Sequence, residues 1–372
     1  MFKTWPKKLR NLSPASVVSM TINHGLQASS DAMAKHCADY AQALGIEHFS
    51  VKIPWSEPPF PEKPRPGQAF EEVGRRSRYH ILFQIMKQAG ADTLALGHHG
   101  DDQVETSLMR LARGTTELGA GGMRKVRRWG MGVNKEGVEN GLGWAGVEGM
   151  KMWMVRPFLE VSKDRILATC EENSLEYVED STNFQPQLTL RNTIRHLLSK
   201  NTLDHESLGL ELPPHIAQSV NQLQTALSSL ESVDLDPSEG LEQLRSSVHI
   251  LTEQVEDIEN QVDSCLNRCH LPSPPATYLV SCRGLATIRN PLVKKSLVLR
   301  IMRYLSFHAW GSLRADADRR QKSVDQLVQN LWVPDPFAAK IAPFVAGGGV
   351  WWMPAVVGEK TLETCGAGVT AA

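Results

Sequence analysis

Residues 94–116 read LALGHHGDDQVETSLMRLARGTT, and the character of the chain changes twice within this stretch. Its apolar start is typical of a buried strand, and from Gln103 to Ala112 the apolar residues recur at helical spacing. Between the two lie four ionisable side chains, those of His98, His99, Asp101 and Asp102. A strand that leads directly into a helix is the building block of a parallel α/β sheet, so this stretch predicts that fold class.

The same alternation extends over the first half of the chain. Strands are predicted at Ala15–Ile22, His48–Ile53, Thr93–Leu96, Met152–Leu159 and Leu175–Val178. Helices are predicted at Asp31–Leu44, Gln68–Ala89, Gln103–Ala112 and Lys163–Asn173. The residues from about 117 to 150 are rich in glycine and tryptophan and indicate a long loop or insertion. A parallel sheet with covering helices is the architecture that this order favours.

Beyond residue 200 the pattern becomes helical. Apolar residues alternate at spacings of four and three in two runs, from Ile216 to Leu230 and from Leu241 to Val262. Asn290 and Pro291 are a cap and a first-turn residue typical of a further helix, predicted to end at Phe307. The sequence therefore predicts an α/β domain at residues 1–200 and a mainly helical domain at residues 201–372.

Composition narrows the class of protein. The chain has 372 residues, a formal net charge of -1 and six scattered cysteines, which suits a soluble protein of two or three domains in a reducing compartment. No apolar run is long enough for a membrane span, so we expect no contact with membranes. The first thirty residues contain four basic side chains and no acidic one. This composition fits an organellar transit peptide or a short basic end, and it leaves the mitochondrial matrix and the cytoplasm open.

Two acidic residues follow the strand at Thr93–Leu96. Because the carboxyl ends of parallel strands border a ligand crevice, Asp102 and Glu105 are expected at that site. They are three residues apart and share a helix face, while Val104 and Leu108 turn the other face to the core. Such carboxylates suit Mg²⁺ bound with substrate phosphates, or the orientation and deprotonation of a nucleophile. Alternatively, they only complement the dipole of the helix N-terminus.

A second group of polar residues lies in VEDSTNFQPQLTLRNTIR, residues 178–195. The DSTN tetrapeptide is typical of a turn that caps a helix. Arg191 and Arg195 then share one helix face, with Asn192 adjacent, and arginines in this arrangement suit phosphate or carboxylate recognition. Surface ion pairs are the alternative. The arginines of residues 71–82, EEVGRRSRYHIL, either reach the same crevice or are solvated.

Five segments occur in the order found in tRNA(Ile)-lysidine synthetases. They are INHGLQASSDA at 22–32, EEVGRRSRYHIL at 71–82, LALGHHGDDQVETSLMRLARGTT at 94–116, VRPFLEVSKDRI at 155–166 and EDSTNFQPQLTLRNTIRHLL at 179–198. The chain thus resembles this family, which belongs to the N-type ATP pyrophosphatases with a PP-loop and an adenine nucleotide alpha hydrolase-like fold. The resemblance implies ATP-dependent adenylation of the wobble cytidine of tRNA(Ile), followed by ligation of lysine to give lysidine.

The resemblance also implies roles for individual residues. The catalytic positions are Asp102, Glu105 and Arg191, and Asp102 is also the expected Mg²⁺ ligand. The expected ATP-binding positions are Gly97, His98, Arg75, Arg78 and His24. RNA contacts are expected at Asn192 and Arg195. The implied partners are ATP, Mg²⁺, free lysine and tRNA(Ile) with a CAU anticodon, and a homodimer remains open.

The predicted helix at residues 291–307 adds two candidate RNA contacts. Lys295 and Arg303 project from turns that a phosphate backbone could follow, and phosphate contacts give affinity without sequence information. A solvated face of a packed helix is the alternative for these two residues.

The chain departs from the family pattern in one respect. The family carries a Gly-rich SGGxDS loop ahead of the segment that matches Val18–Gly25, and neither SGG nor GGxDS occurs in these 372 residues. The chain is therefore either a truncated form, which the intact acidic and arginine motifs favour, or a relative without ATP chemistry. An inactive RNA-binding module and a cytidine thiolase are the rival functions, although the chain has no CxxC pair of the kind that such thiolases use.

Overall fold

The computed structural model describes residues 17–65, 71–115, 117–130, 141–228, 235, 237–274, 277–305, 321–333, 342–347, 349–357 and 362–364. The basic residues of the predicted transit segment before residue 17 lie outside this set. The chain forms two compact units, Met1–Val248 and His249–Ala372. The sequence places a domain boundary near residue 200, so the helical region that follows it begins inside the first unit.

The first unit alternates strands with helices. Its strands are β1 (Val18–Asn23), β2 (Glu47–Lys52), β3 (Thr93–Ala95), β4 (Val126–Arg128) and β5 (Trp153–Val155). Its helices are α1 (Ser30–Ala43), α2 (Glu71–Gln88), α3 (Gly100–Leu111), α4 (Glu117–Ala120), α5 (Gly146–Gly149), α6 (Lys163–Glu172), α7 (Leu190–Leu198) and α8 (Pro214–Leu227). The following helix, α9 (Leu241–Cys269), starts in this unit and continues into the second.

The strands of the first unit form two sheets in its described part. β1 pairs in parallel with β2, and β3 pairs in parallel with β5. The α/β fold with parallel strands is therefore confirmed. β4 adds to the outer edge of β5 in the antiparallel direction, with Val126 opposite Val155.

The region from about 117 to 150, expected as a long loop or insertion, is not a simple loop, because its described residues form β4 and the short helices α4 and α5. One predicted strand was wrong. No strand forms at Leu175–Val178. There the backbone N–H of Glu176 donates to the Tyr40 hydroxyl (2.5 Å) instead of to a neighbouring strand. When a segment with a β pattern has no strand to pair with, its main-chain N–H and C=O groups form hydrogen bonds with other groups.

Helix α2 is apolar on two sides and packs against both sheets. Its Leu82 and Met86 form a core cluster with Leu94 of β3 and Met154 of β5. The neighbouring Ile81 and Ile85 pack instead with residues around β2, including Phe49 and Val51. Burying both faces removes apolar surface of α2 from water, so α2 contributes to both core clusters.

Helix α3 begins at Gly100, three residues before the predicted start. The Asp102 carboxylate accepts a hydrogen bond from the backbone N–H of His99 (3.0 Å), which satisfies a donor ahead of the first turn. Its buried residues include Val104, Leu108 and Leu111, as the helical spacing predicts. α3 packs against α7 and α8, and this contact places the polar side chains of α3 and α7 opposite each other.

In its described residues, the second unit combines the rest of α9 with three helices and three small antiparallel strand pairs. Its further helices are α10 (Cys282–Ala286), α11 (Pro291–Leu305) and α12 (Gln321–Leu331). The strand pairs are β6 (His270–Leu271) with β7 (Leu279–Val280), β8 (Phe344–Ala346) with β9 (Val350–Trp352), and β10 (Ala355–Val357) with β11 (Leu362–Thr364). None of the helices in the described part of the chain combines the length and apolarity that crossing a membrane requires.

Candidate active site

The candidate site lies where strands of the first unit end. His24 follows β1, Gly97 and His98 follow β3, and Arg156 follows β5. β3 and β5 are parallel, so their carboxyl ends lie at the same edge of the sheet. This edge is where α/β proteins bind ligands, because the connections that leave the strands form a crevice there.

The turn after β1 has a defined geometry. Asn23 accepts a hydrogen bond from the Gly25 backbone N–H (2.8 Å) through its side-chain oxygen and donates from its amide nitrogen to Asp31 (2.6 Å). Gly25 has φ +62°, and a Cβ there would lie 2.9 Å from the Lys52 side chain. The carbonyl oxygen of His24 accepts from the Trp55 indole (2.8 Å). These bonds fix the backbone that carries His24.

Glu105 is the most deeply buried acid of the site, with a side chain that is 3% exposed. Arg195 of α7 binds it with two hydrogen bonds, from Nε to Oε1 (2.7 Å) and from Nη2 to Oε2 (3.0 Å). Burial raises the pKa of the Glu105 carboxyl, while Arg195 and Arg191 act in the opposite direction. The paired guanidinium offsets the free-energy cost of burying a charged carboxylate in such surroundings.

Arg191 lies between the two predicted catalytic acids. Its Nη1 is 3.7 Å from Oδ1 of Asp102, and its Nε is 3.7 Å from Oε2 of Glu105. Neither distance is a hydrogen bond, and the buried Nε has no such partner among the described residues. The structure therefore brings Asp102, Glu105 and Arg191 together.

The DSTN segment forms the capped turn that its sequence predicts. Asp180 accepts hydrogen bonds from the backbone N–H and the hydroxyl of Thr182 (2.9 and 2.7 Å). Gln27, just after β1, donates to both Asp180 and Thr182 (3.2 Å each). Asn192 is buried and donates to the carbonyl oxygens of Thr182 (2.7 Å) and Gln185 (3.2 Å). Its contact with RNA stays a prediction, and in this structure its amide nitrogen anchors the turn to α7.

Positive charge dominates the rest of the site. Burial lowers the pKa of His24 to about 4, and repulsion by Arg78 adds to this effect. Burial also lowers the pKa of His98 to about 4, with Arg156, Arg191 and Arg75 contributing against the attraction of Asp102. Both imidazoles are therefore neutral at neutral pH, and their surroundings repel further protons.

The remaining predicted ATP-binding residues face this cationic region. Arg75 is exposed on α2, and burial lowers the pKa of the Arg78 guanidinium, with repulsion from Arg75 and Arg191 adding to the effect. A Cβ on Gly97 would meet nothing within 4 Å, so the backbone after β3 is open to close approach by a ligand. Binding of ATP by Gly97, His98, Arg75, Arg78 and His24 stays a prediction.

Asp102 fits a Mg²⁺ ion that is shared with phosphates. Its Oδ2 accepts from the His99 backbone, while Oδ1 has, among the described residues, only the distant Arg191 contact given above. The described residues contain no group of three or more His, Cys, Asp or Glu side chains that could hold a metal ion. One carboxylate together with nucleotide phosphates is a common way to bind Mg²⁺, whereas a cage made by the protein alone is not found in this part of the chain.

Lys295 and Arg303 lie on α11 in the second unit. Lys295 forms an ion pair with Asp325 of α12 at 2.9 Å, and Arg303 is exposed. Their contact with RNA stays a prediction.

Arg156 and Arg245 also lie at the site, although no sequence pattern above singles them out. Arg156 is 5% exposed and follows β5, so the rule that flagged the residues after β3 would also have found it. Arg245 of α9 binds Asp101 (2.7 Å) at the start of α3, and it also contacts Asp164 (3.1 Å). No local signal predicts that contact, because the two partners are far apart in sequence.

A parallel α/β fold whose strand ends gather arginines, neutral histidines and two largely buried carboxylates defines a protein class that binds anionic nucleotides. The family model described as PP-loop domain matches residues 2–202, more than half of the chain, and the chain belongs to this family.

Several curated relatives have the name tRNA(Ile)-lysidine synthase. The chain is 32% identical to that of Bacillus licheniformis over 49% of its own length and 33% of the relative, and 38% identical to that of Bacillus subtilis over 36% and 25%. It is 30% identical to that of Methylobacterium nodulans over 59% and 56%. The chain thus spans between a quarter and just over half of the length of these relatives.

A solved U34-tRNA thiolase, NcsA from Methanococcus maripaludis, is 16% identical, with a TM-score of 0.34 over 59% of this chain and 63% of that one. A similarity of this size does not bear on function.

Proposed function

We propose that this chain carries the catalytic domain of a tRNA(Ile)-lysidine synthetase. It uses ATP to adenylate the wobble cytidine of a tRNA(Ile) with a CAU anticodon, and it then joins free lysine to that base. The names of the relatives support this proposal. The observation that carries it is the arrangement of Arg191 between the acids Asp102 and Glu105 at the strand ends.

The first step makes a leaving group. The C2 oxygen of cytosine attacks the α-phosphate of ATP, an O–P bond forms, and pyrophosphate departs. Negative charge develops on the phosphates in this step, and Arg75, Arg78 and Arg191 supply fixed positive charge around it. Mg²⁺, when bound with Asp102 and the phosphates, neutralises part of the same charge.

The second step joins lysine to the base. The neutral amino group of lysine attacks C2, a C–N bond forms, and the C2–O bond breaks as AMP departs. The attacking amine is protonated in solution, so a carboxylate must gather the ammonium and take its proton. Asp102 suits this role because its side chain is more exposed than that of Glu105, 12% against 3%. Glu105 is bound to Arg195, and its carboxylate also attracts Arg191 and so holds that arginine in place.

The proposal is tested by incorporation of labelled lysine into a tRNA(Ile) transcript in the presence of ATP. With an SGGxDS segment placed ahead of Val18, we expect the protein to label the transcript that has the CAU anticodon and not the same transcript with the wobble cytidine replaced by uridine. Asp102→Asn and Glu105→Gln should each lower the rate on the order of a hundredfold or more, the usual cost of removing such a group.

Asp101→Asn is the matched control. Asp101 is the neighbour of Asp102, but its carboxylate binds Arg245 and not Arg191. Its variant should retain most of the lysine incorporation, with circular dichroism confirming the fold of all three variants. Near-full activity of both Asp102→Asn and Glu105→Gln would contradict the proposal. Binding of the transcript without any incorporation would instead identify the chain as an RNA-binding module.

A further inference from the structure

An exposed aromatic side chain lies on the turn that the DSTN segment forms. Phe184 is the last residue of a short 3-10 helix, Ser181–Phe184, and it is 62% exposed. No phenylalanine, tyrosine or tryptophan in the described part of the chain is more exposed. The ring therefore contributes little to the apolar core of the first unit.

The turn is fixed on the side of α7. Asn192, the neighbour of Arg191, donates to the carbonyl oxygens of Thr182 (2.7 Å) and Gln185 (3.2 Å). The backbone N–H of Gln185 donates to the same Thr182 carbonyl (3.2 Å). Because Thr182 and Gln185 lie on either side of Phe184 in the chain, these bonds hold the Phe184 backbone against the helix that carries Arg191.

The turn is also fixed on the side of β1. Gln27, in the connection that carries His24, donates to Oδ2 of Asp180 and to the hydroxyl of Thr182 (3.2 Å each). Asp180 in turn accepts from the backbone N–H of Thr182 (2.9 Å). Phe184 thus lies at the edge of the candidate site, on a backbone that side-chain hydrogen bonds hold from two directions.

The proposed reaction leaves an RNA base without its stacking partner. The wobble cytidine has to leave the stack of the anticodon loop before its C2 position can reach Asp102 and Arg191. A base next to it in the loop then exposes one face. Aromatic side chains bind such unstacked bases face to face. A ring with only two side-chain torsions, on a fixed backbone, loses little conformational freedom when it stacks.

We infer that Phe184 is a base-stacking residue, which covers the face of an anticodon-loop base next to the displaced wobble cytidine. The inference rests on the proposed function for the identity of the RNA. The positive charges of Arg75, Arg78 and Arg191 act on one another at the same site. They favour a polyanion such as RNA at this edge over an apolar protein partner.

The first test is binding of the full chain to an RNA hairpin with a CAU loop, with 2-aminopurine placed in turn on either side of the wobble cytidine. Stacking quenches the fluorescence of 2-aminopurine. We expect one of the two probes to be quenched on binding, and to be brighter when bound to Phe184→Leu, which keeps an apolar side chain but removes the ring.

The affinity for the hairpin should change with the ring. Phe184→Leu and Phe184→Ala should each bind about fivefold more weakly or worse, the lower end of what stacking on one base contributes. Phe184→Trp should bind at least as tightly as the unaltered chain. Since Phe184 is exposed, thermal unfolding of the three variants should match that of the unaltered chain.

The matched control is Leu188→Ala. Leu188 lies between the same turn and α7 and is 46% exposed, so its variant removes apolar surface without removing a ring. This variant should bind the hairpin as the unaltered chain does. A hairpin with 2-aminopurine in its stem should give the same fluorescence with every variant.

The inference is overturned if Phe184→Leu binds the hairpin as tightly as the unaltered chain, or if both loop probes are quenched equally by the two proteins. It is also overturned if Leu188→Ala weakens binding as much as Phe184→Leu, because apolar contact would then explain the loss. Hairpin binding requires neither ATP nor lysine. Stacking on Phe184 without lysine incorporation would therefore contradict the proposed function and leave the role of Phe184 standing. Incorporation together with unchanged hairpin binding by Phe184→Leu would do the reverse.

Discussion

At the scale of single residues, the site depends on charges that are compensated within the fold. Glu105 is largely buried and has two hydrogen bonds from Arg195, while Arg191 contacts the same carboxylate more loosely. A buried ion pair contributes little net stability when intact, because both groups lose their hydration. Removing one partner is costly, since the other charge is left in a medium of low polarity.

Arg195→Met should therefore destabilise the first unit strongly. We expect a loss of about 3 kcal/mol or more in the free energy of unfolding at pH 7, measured by urea denaturation. The double variant Arg195→Met with Glu105→Gln should lose less, because no unpaired carboxylate remains. Lys35→Met is the control, since Lys35 and Asp39 form an exposed pair worth at most about 1 kcal/mol. A loss in Arg195→Met no larger than in this control would contradict the expectation.

The two histidines at the strand ends predict how stability depends on pH. His24 and His98 have pKa values of about 4 in the folded chain, against 6.5 for an ordinary histidine. Between these values the unfolded chain binds more protons than the folded one, so the free energy of unfolding falls as the pH is lowered from 6.5 towards 4. Below pH 4 both states are protonated at these sites and the effect levels off.

The measurement is urea denaturation at pH 7 and pH 4.5. The double variant His24→Gln with His98→Gln should lose less stability between the two pH values than the unaltered chain does. His215→Gln, at an exposed position of α8, should show the same decline as the unaltered chain. Comparing variants in this way cancels the contribution of the carboxyl groups. Equal declines in all three proteins would disprove the role assigned to His24 and His98.

At the scale of elements, Arg245 connects the start of α9 to the start of α3. The Arg245 side chain is 11% exposed and forms ion pairs with Asp101 (2.7 Å), Asp164 (3.1 Å) and Glu242 (2.5 Å). Among these acids only Asp101 is shielded from water, with a side chain that is 15% exposed. The first turns of α9 thus contact the helix that carries Asp102 and Glu105.

Arg245→Met should lower the free energy of unfolding by about 2 kcal/mol or more, because it leaves Asp101 without its charged donor. It should also speed amide hydrogen exchange in the first turns of α9 and of α3. Glu242→Gln removes a partner of the same arginine whose side chain is 83% exposed, and it should cost no more than about 1 kcal/mol. If the two variants are equally stable, the Asp101 contact does not attach α9 to α3.

At the scale of the whole molecule, the second unit contains several cations that are already paired. Arg300 of α11 binds Glu259 and Asp263 of α9, and Lys295 binds Asp325 of α12. Lys294 lies over the Trp332 ring at 5.4 Å. These contacts hold the helices of the unit together. They also reduce the positive charge that α11 offers to a phosphate backbone.

The predicted RNA contacts of α11 are tested by Lys295→Glu combined with Arg303→Glu. If both residues contact phosphates, RNA affinity should fall similarly for all sequences, and the salt slope should decrease by roughly one unit per lost contact. Filter binding at several salt concentrations measures both quantities. Asp325→Asn, which only removes the partner of Lys295, should not weaken binding. An unchanged affinity and slope in the double variant would leave Lys295 with the packing role described above.

Much of the architecture follows from the order of residues. The strand before His98, the helix with Val104 and Leu108 on its buried side, and the capped turn at Asp180 all depend on neighbours in sequence. For the same reason the position of Asp102 and Glu105 at the strand ends was predictable. The absence of a strand at Leu175–Val178 was not predictable, because a β pattern becomes a strand only when another strand is available to pair with it.

The sequence by itself determined the alternation of strands and helices, the buried faces of the helices and the approximate site, because these depend on spacing along the chain. Only the tertiary structure decided which charges meet. Arg195 neutralises Glu105 and Arg245 binds Asp101 across long stretches of chain, and the buried Nε of Arg156 has no hydrogen-bond partner among the described residues. Such contacts depend on packing between distant elements, and burial then determines the pKa values and the electrostatic field of the site.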